Sequence, residues 1–182
     1  MLTHAGSRIL ETPRLVLRRF EEKDADAMFA WAGDPIVMRW LPFATHQSID
    51  ETREVLADRL TMYGRKDFYS WAVTEKDTSR AVGSISLRVL DERARRGDVV
   101  FCLVHDRWGR GYMSEALAMV LDFGFHTVGF NRIEASHSEY CRASGAVLRR
   151  CGMQYEGMAR QYYYCAEGYQ DCHRYAKLKS DR

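Results

Sequence analysis

The chain has 182 residues, a length that suits one domain and suffices to enclose a core. Hydrophobic residues at 46% and charged residues at 29% exclude a disordered, collagen-like or disulfide-scaffold protein. Lys plus Arg (27) nearly balances Asp plus Glu (25), and a net charge of +2 is too small for a protein that grips a nucleic-acid backbone by charge.

No internal repeat, low-complexity tract or linker interrupts residues 1–182, so one domain is expected. Residues 15–20 (LVLRRF) alternate as a strand, and 21–33 follow as a short helix with Met28, Phe29 and Trp31 inward. Asp34-Pro35 ends it. Ser48 with Glu51 three residues later signals a second helix, supported by Ile49, Leu56, Leu60 and Tyr63 and ending near Gly64. Strands are expected over 68–74, 81–90 and 98–104, with a charged hairpin loop at 91–97. The strongest helix spans 111–128, with Met113, Leu117, Val120, Leu121, Gly124, Phe125 and Val128 on one face. A strand over 132–138, a helix over 142–151 and two strands over 153–165 and 171–178 complete the chain. The order β-α-α-βββ-α-β-α-ββ mixes hairpins with crossovers and describes an α+β domain with a mixed sheet.

No run of about 18 apolar residues is present, and the first residues lack an export pattern, so a cytosolic protein without membrane contact is expected. Five cysteines in odd number without C-x-x-C spacing read as core thiols. The six histidines show no paired spacing on a helix, and no metal is expected. His105-Asp106 lacks a nucleophile in a G-x-S-x-G string.

Chemistry concentrates in residues 98–125, where a strand runs through a turn with Gly109 and Gly111 straight into the long helix. Glycine lets the backbone approach a ligand, and the first-turn N–H groups of a helix lack intrahelical acceptors, so this is an anion site in outline. The P-loop string is absent, and Ser114 stands where a dinucleotide fingerprint needs its third glycine, which argues against ATP and NAD.

The string Trp108-Gly109-Arg110-Gly111-Tyr112-Met113-Ser114-Glu115-Ala116, preceded by Asp98-Val-Val-Phe-Cys-Leu-Val, resembles the acetyl-coenzyme A motif of GNAT N-acetyltransferases. More narrowly it is similar to the branch of ribosomal-protein N-terminal acetyltransferases. The opening Thr12 to Arg18 strand, Asp34-Pro35-x-Val37-Met38-Arg39-Trp40-Leu41-Pro42, Trp71-Ala72-Val73, Val82-Gly83-Ser84-Ile85, Asn131 to Ala135, Ala143-Ser144, Glu156-Gly157 and Gly168-Tyr169-x-Asp171 extend the likeness over nearly the whole chain. The resemblance implies a GNAT fold: a central, mostly antiparallel sheet of six to seven strands, splayed in the middle and flanked by about four helices.

It also implies acetyl-CoA as cosubstrate. The diphosphate would lie on backbone N–H groups from Gly109 to Ser114, with Arg110 adding charge and Trp108, Tyr112 and Met113 in the same motif. The pantetheine arm would pair with Phe101, Cys102, Leu103 and Val104 as an extra strand. Asp98 stands where many members carry a glutamate base, a backbone N–H near Leu103 or Val104 would hold the oxyanion, and Ser144 would meet the departing thiolate. Cys141 replaces an asparagine that contacts the cofactor arm; Met113, Gly145 and Met153 also depart from the pattern. The acceptor pocket would draw on the loop with Asp34, Met38, Arg39 and Trp40, and on Trp71, Ser84 and Tyr163.

An α-amino group with a reference pKa near 7.7–8.0 costs roughly 1 kcal/mol to deprotonate at pH 7, against about 4.6 for Lys, so N-terminal acetylation needs only a modest base. The expected partners are acetyl-CoA and an amine acceptor, first a protein N-terminus, with a second copy of the chain also possible. A small amine acceptor (polyamine, amino acid or aminoglycoside) and a non-catalytic acyl-CoA binding module stay open.

Overall fold

The computed structural model describes residues 1–181. Eight strands form one sheet: β1 (Leu10–Glu11), β2 (Leu15–Arg18), β3 (Tyr69–Glu75), β4 (Ala81–Asp91), β5 (Arg96–Leu103), β6 (Arg132–Ser138), β7 (Gln154–Cys165) and β8 (Gly168–Leu178). The α-helices are α1 (Ala25–Ala32), α2 (Pro35–Met38), α3 (Ile49–Met62), α4 (Tyr112–Asp122) and α5 (Arg142–Arg150), and a π-helical stretch, Phe123–Val128, continues α4. The architecture is the expected α+β arrangement around a mixed, mostly antiparallel sheet, with one more strand than the upper expectation and one more helix. The additions are the two-residue β1 and the four-residue α2, which are too short for periodicity to register. Asp34 creates α2: its Oδ1 accepts from the Ile36 N–H (2.8 Å), and Pro35 occupies the first helical position.

The spatial order is β1-β2-β3-β4-β5-β6-β8-β7, and every neighbour is antiparallel except β5 and β6. That one parallel contact is short: Arg96, Gly97 and Asp98 pair with Arg132, Ile133 and Glu134. Past Asp98 the two strands separate while β5 stays paired with β4 up to Leu103 opposite Gly83. A gap therefore opens in the middle of the sheet, beginning at Asp98.

The core fixes the position of this gap. Met113, Ala116, Leu117, Val120 and Leu121 of α4 are buried and share one hydrophobic cluster with Leu15, Trp71, Ile85, Leu87 and Val99 of the sheet. Burial of a Leu-sized side chain contributes about 2 kcal/mol, so this face holds α4, and hence the glycine turn at its start, against the open end of β5. Among the described residues no helix is long and apolar enough to cross a membrane, and all five cysteines are free.

Candidate active site

The chain leaves β5 through a short helical turn (His105–Arg107), passes Trp108 and reaches the two glycines. Gly109 (φ 75°) and Gly111 (φ 78°) both hold left-handed backbone, which glycine adopts without a Cβ penalty. A Cβ on Gly109 would meet nothing within 4 Å, so main chain is open to a ligand there. No side chain caps α4, and its first-turn amides, from Tyr112 to Ser114, keep free donors.

Neighbouring elements brace the turn. Arg14 Nε donates to Glu115 Oε2 (2.7 Å) and Arg14 Nη1 to the Arg110 carbonyl (2.9 Å), while Thr12 Oγ1 donates to Glu115 Oε1 (2.6 Å). On the other side Arg107 Nε donates to buried Glu75 (2.7 Å), and this contact holds the Glu75 carboxyl below its usual range. The guanidiniums of Arg14 and Arg150 lie 3.6 and 3.8 Å from where a Cβ of Gly111 would stand. Glu115 matches the charge of Arg14, while Arg150 brings positive charge to the turn from α5. Neither arginine belongs to the local motif, and both escape a reading of sequence spacing.

A cleft of about 290 Å³ runs from this turn into the sheet gap, past Leu103, Trp108, Tyr112, Met113, Ser114 and Arg150. The Val104 N–H donates to the Val82 carbonyl (2.8 Å), on the β4 side, so strand alternation turns the N–H groups of Leu103 and Phe101 toward the gap. Trp108 Nε1 donates to the Leu103 carbonyl (2.8 Å). Cys102 also borders the cleft, its thiol pushed up by burial and lying 3.2 Å from Ser84 Oγ. Of the other residues expected at the cofactor, Val104 is buried with its N–H bonded to Val82, and Arg110 offers its carbonyl to Arg14 and does not line the cleft.

A second cleft of about 300 Å³ opens on the other side of the gap, lined by Arg88, Asp98, Ser136, His137, Tyr162 and Tyr163 among others. Trp40, Leu41, Phe101, Cys141 and Ser144 line both clefts, and the two meet at these residues. The roof is fixed in place: the Trp40 ring stacks on Tyr140 (5.0 Å between centroids), and Tyr163 Oη donates to the Trp40 carbonyl (2.6 Å). Cys141 Sγ and Ser144 Oγ lie 3.2 Å apart at the start of α5.

Among the described residues Asp98 is the only carboxylate in the second cleft and Arg88 the only guanidinium. The two are paired across the β4–β5 ladder, yet burial dominates and pushes the Asp98 carboxyl above its ordinary range. His137 is buried and neutral-leaning: burial lowers its pKa, and its Nδ1 lies 2.7 Å from the Ser138 carbonyl, an acceptor that fixes the proton on Nδ1. Its Nε2 is buried without a partner, and a Cβ on Gly145 would stand 2.6 Å from it. The ring of His137 explains a glycine inside α5.

The remaining expected acceptor residues line neither cleft. Trp71 is wholly buried, donates Nε1 to the Arg8 carbonyl (2.6 Å) and packs edge-on against Phe123 (5.6 Å). Both faces of β3 are covered, so its aromatic belongs to the core. Ser84 faces Cys102 on the neighbouring strand, Asp34 caps α2, Met38 is buried, and exposed Arg39 pairs with Glu167 (2.9 Å).

Residues 14–154 match the acetyltransferase (GNAT) domain family. The uncharacterized N-acetyltransferase YoaA of Bacillus subtilis (strain 168) is 31% identical over 86% of this chain and 88% of its own. Among solved structures, a GNAT-family acetyltransferase from Bacillus anthracis superposes with a TM-score of 0.85, at 24% identity over 96% of this chain and 100% of the other. The ribosomal L7/L12 alpha-N-protein acetyltransferase RimL, in complex with coenzyme A, superposes with a TM-score of 0.82 at 20% identity, over 94% and 98% of the two chains.

Proposed function

The chain belongs to the GNAT family of acetyltransferases, enzymes that use acetyl-CoA, and from that premise we propose that it acetylates the N-terminal α-amine of a polypeptide by direct attack in a ternary complex. One observation carries this reading. Two clefts meet at Trp40, Leu41, Phe101, Cys141 and Ser144; one ends in an anion cradle and the other holds a single carboxylate.

When bound, acetyl-CoA supplies an activated acyl thioester. The amides from Gly109 to Ser114, with the guanidinium of Arg150, would hold its diphosphate, and Trp108, Tyr112 and Met113 wall the channel. The gap-facing edge at Phe101 and Leu103 would take the pantetheine arm beside Cys102 and Cys141, one of its two N–H groups pairing with the arm and the other polarising the thioester carbonyl. Asp98 accepts the proton of the attacking amine, directly or through water, and its raised affinity for protons brings it closer to the amine it must serve. The Ser144 hydroxyl meets the departing thiolate.

The cleft chemistry favours a single amine over a polycation. A polyamine or aminoglycoside needs several carboxylates, whereas Asp98 stands alone here and Arg88 repels further positive charge. The structural kinship with RimL supports the same acceptor class. A cytosolic setting belongs to this proposal and agrees with five free thiols. The test is a panel of N-terminal peptides and small amines incubated with acetyl-CoA and followed by mass. Acetylation of peptides at the α-amine is expected. Turnover restricted to polyamines, aminoglycosides or free amino acids would overturn the acceptor assignment, and tight CoA binding without turnover on any amine would overturn catalysis.

A further inference from the structure

Helix α3 packs on α1 and stands off the sheet, leaving a third cleft of about 680 Å³ between α3 and strands β3 and β4. Arg88 lines both this cleft and the acceptor cleft, so the two adjoin. The sheet face beneath α3 is polar where a covered sheet is ordinarily apolar: Ser70 pairs with Ser86 and Arg88 with Asp98, and Ser86 Oγ donates to Ser70 Oγ (3.0 Å).

From α3, Arg59 reaches into this space. Its Nη1 is buried with no hydrogen-bond partner, and the groups acting on its charge are Tyr63 and Cys102, neither of them a carboxylate. Its guanidinium lies 4.7 Å from the centre of the Phe20 ring, which offsets part of the desolvation. The other charged groups of the cleft are engaged or turned outward. Arg65 holds Asp67 with two contacts (3.0 and 2.7 Å), Asp98 holds Arg88, and Asp58 lies on the exposed side of α3. Among the described residues Arg59 is thus a largely desolvated cation with no anion beside it, an arrangement that is costly unless a ligand brings the counter-charge. Arg59 lines the same cleft as Arg88, and Arg88 also lines the acceptor cleft beside Asp98.

We infer that the cleft between α3 and the sheet receives an acidic side chain of the acceptor through Arg59, which makes the preferred acceptors polypeptides with Asp or Glu at the first or second residue. The inference rests on the reading of the acceptor as a polypeptide α-amine. One residue of extended chain spans about 3.3–3.6 Å, so the carboxylates that stay nearest to an amine held in the adjoining cleft are those of the first two residues.

The test compares otherwise identical peptides with Glu, Gln or Lys at the second residue, and with Asp or Asn at the first. Each enzyme is read as a ratio of kcat/KM between acidic and neutral peptides, which is independent of the folded fraction. The wild-type protein should favour the acidic peptide about tenfold in at least one pair, the worth of one charge-assisted contact. Arg59→Gln should bring that ratio to about one, and Arg59→Glu should shift preference toward the Lys peptide. Wild-type ratios near one, or a preference that survives in Arg59→Gln, would overturn the inference while leaving N-terminal acetylation standing. Failure to acetylate any peptide, with turnover on small amines, would instead remove the acceptor assignment and this inference with it.

Discussion

Replacing Asp98 by Asn separates chemistry from folding at the one carboxylate of the acceptor cleft. The Asp98 side chain is 13% exposed, and burial outweighs the paired Arg88, so its folded pKa lies above the ordinary carboxylate value of about 3.9. A group shifted in this direction contributes stability while it is protonated and loses it as pH rises through the folded value. Asn is neutral throughout and keeps an oxygen for Arg88, so the variant should be no less stable than wild type at pH 7. Rate should respond differently. A positioned base contributes roughly 10²–10⁴-fold, and kcat should fall about 100-fold near pH 7, equivalent to about 2.7 kcal/mol of barrier. Near pH 9 an α-amine with a reference pKa of about 7.7–8.0 is already neutral, and the deficit should shrink to about tenfold. The assay is continuous release of CoA thiol across that pH range, with thermal unfolding measured in parallel. A deficit that stays constant with pH would remove Asp98 as the base, and a large fall in melting temperature would show the residue to be structural.

Other perturbations probe the remaining parts of the site. Arg150→Gln should weaken CoA binding about tenfold by calorimetry, with the difference narrowing as salt screens the half-open cleft; equal affinities would exclude Arg150 from the diphosphate cradle. Trp71→Phe should cost about 2 kcal/mol of stability, since it removes buried volume and the 2.6 Å bond to the Arg8 carbonyl, while the KM for the acceptor holds; a selective rise in that KM would return Trp71 to the acceptor pocket. Gly145→Ala would gain about 1 kcal/mol of helix propensity in an open helix, yet here the new Cβ meets His137 Nε2 at 2.6 Å, so a net fall in melting temperature is expected and a rise would refute the packing argument.

Much of this was legible in the sequence because it rests on short-range chemistry. The β6 bounds match the strand expected over 132–138, the α4 face follows from its period, and the glycine turn from residues that tolerate left-handed backbone. Where two layers cover a strand, alternation loses its meaning: every residue of β3 is buried, so nothing in its pattern says whether Trp71 faces a ligand or the core. Arg14 and Arg150 reach the turn from elements about a hundred and about forty residues away in sequence, and no spacing rule brings such residues together. Gly145 stands out in sequence as a departure without a cause; the cause is a histidine on β6 that only tertiary packing brings beneath it. The unpaired state of Arg59 is likewise a fact about what is missing nearby, which a sequence does not record.

The central claim is that backbone amides at the start of α4 and the free edge of β5 together receive acetyl-CoA. Hydrogen exchange of the full chain with and without CoA tests it most directly. Slowed exchange at residues 109–114 and at Phe101 and Leu103, with β1 and the far strands of the sheet unchanged, is the expected result. Unchanged exchange at those amides under saturating CoA would contradict the account.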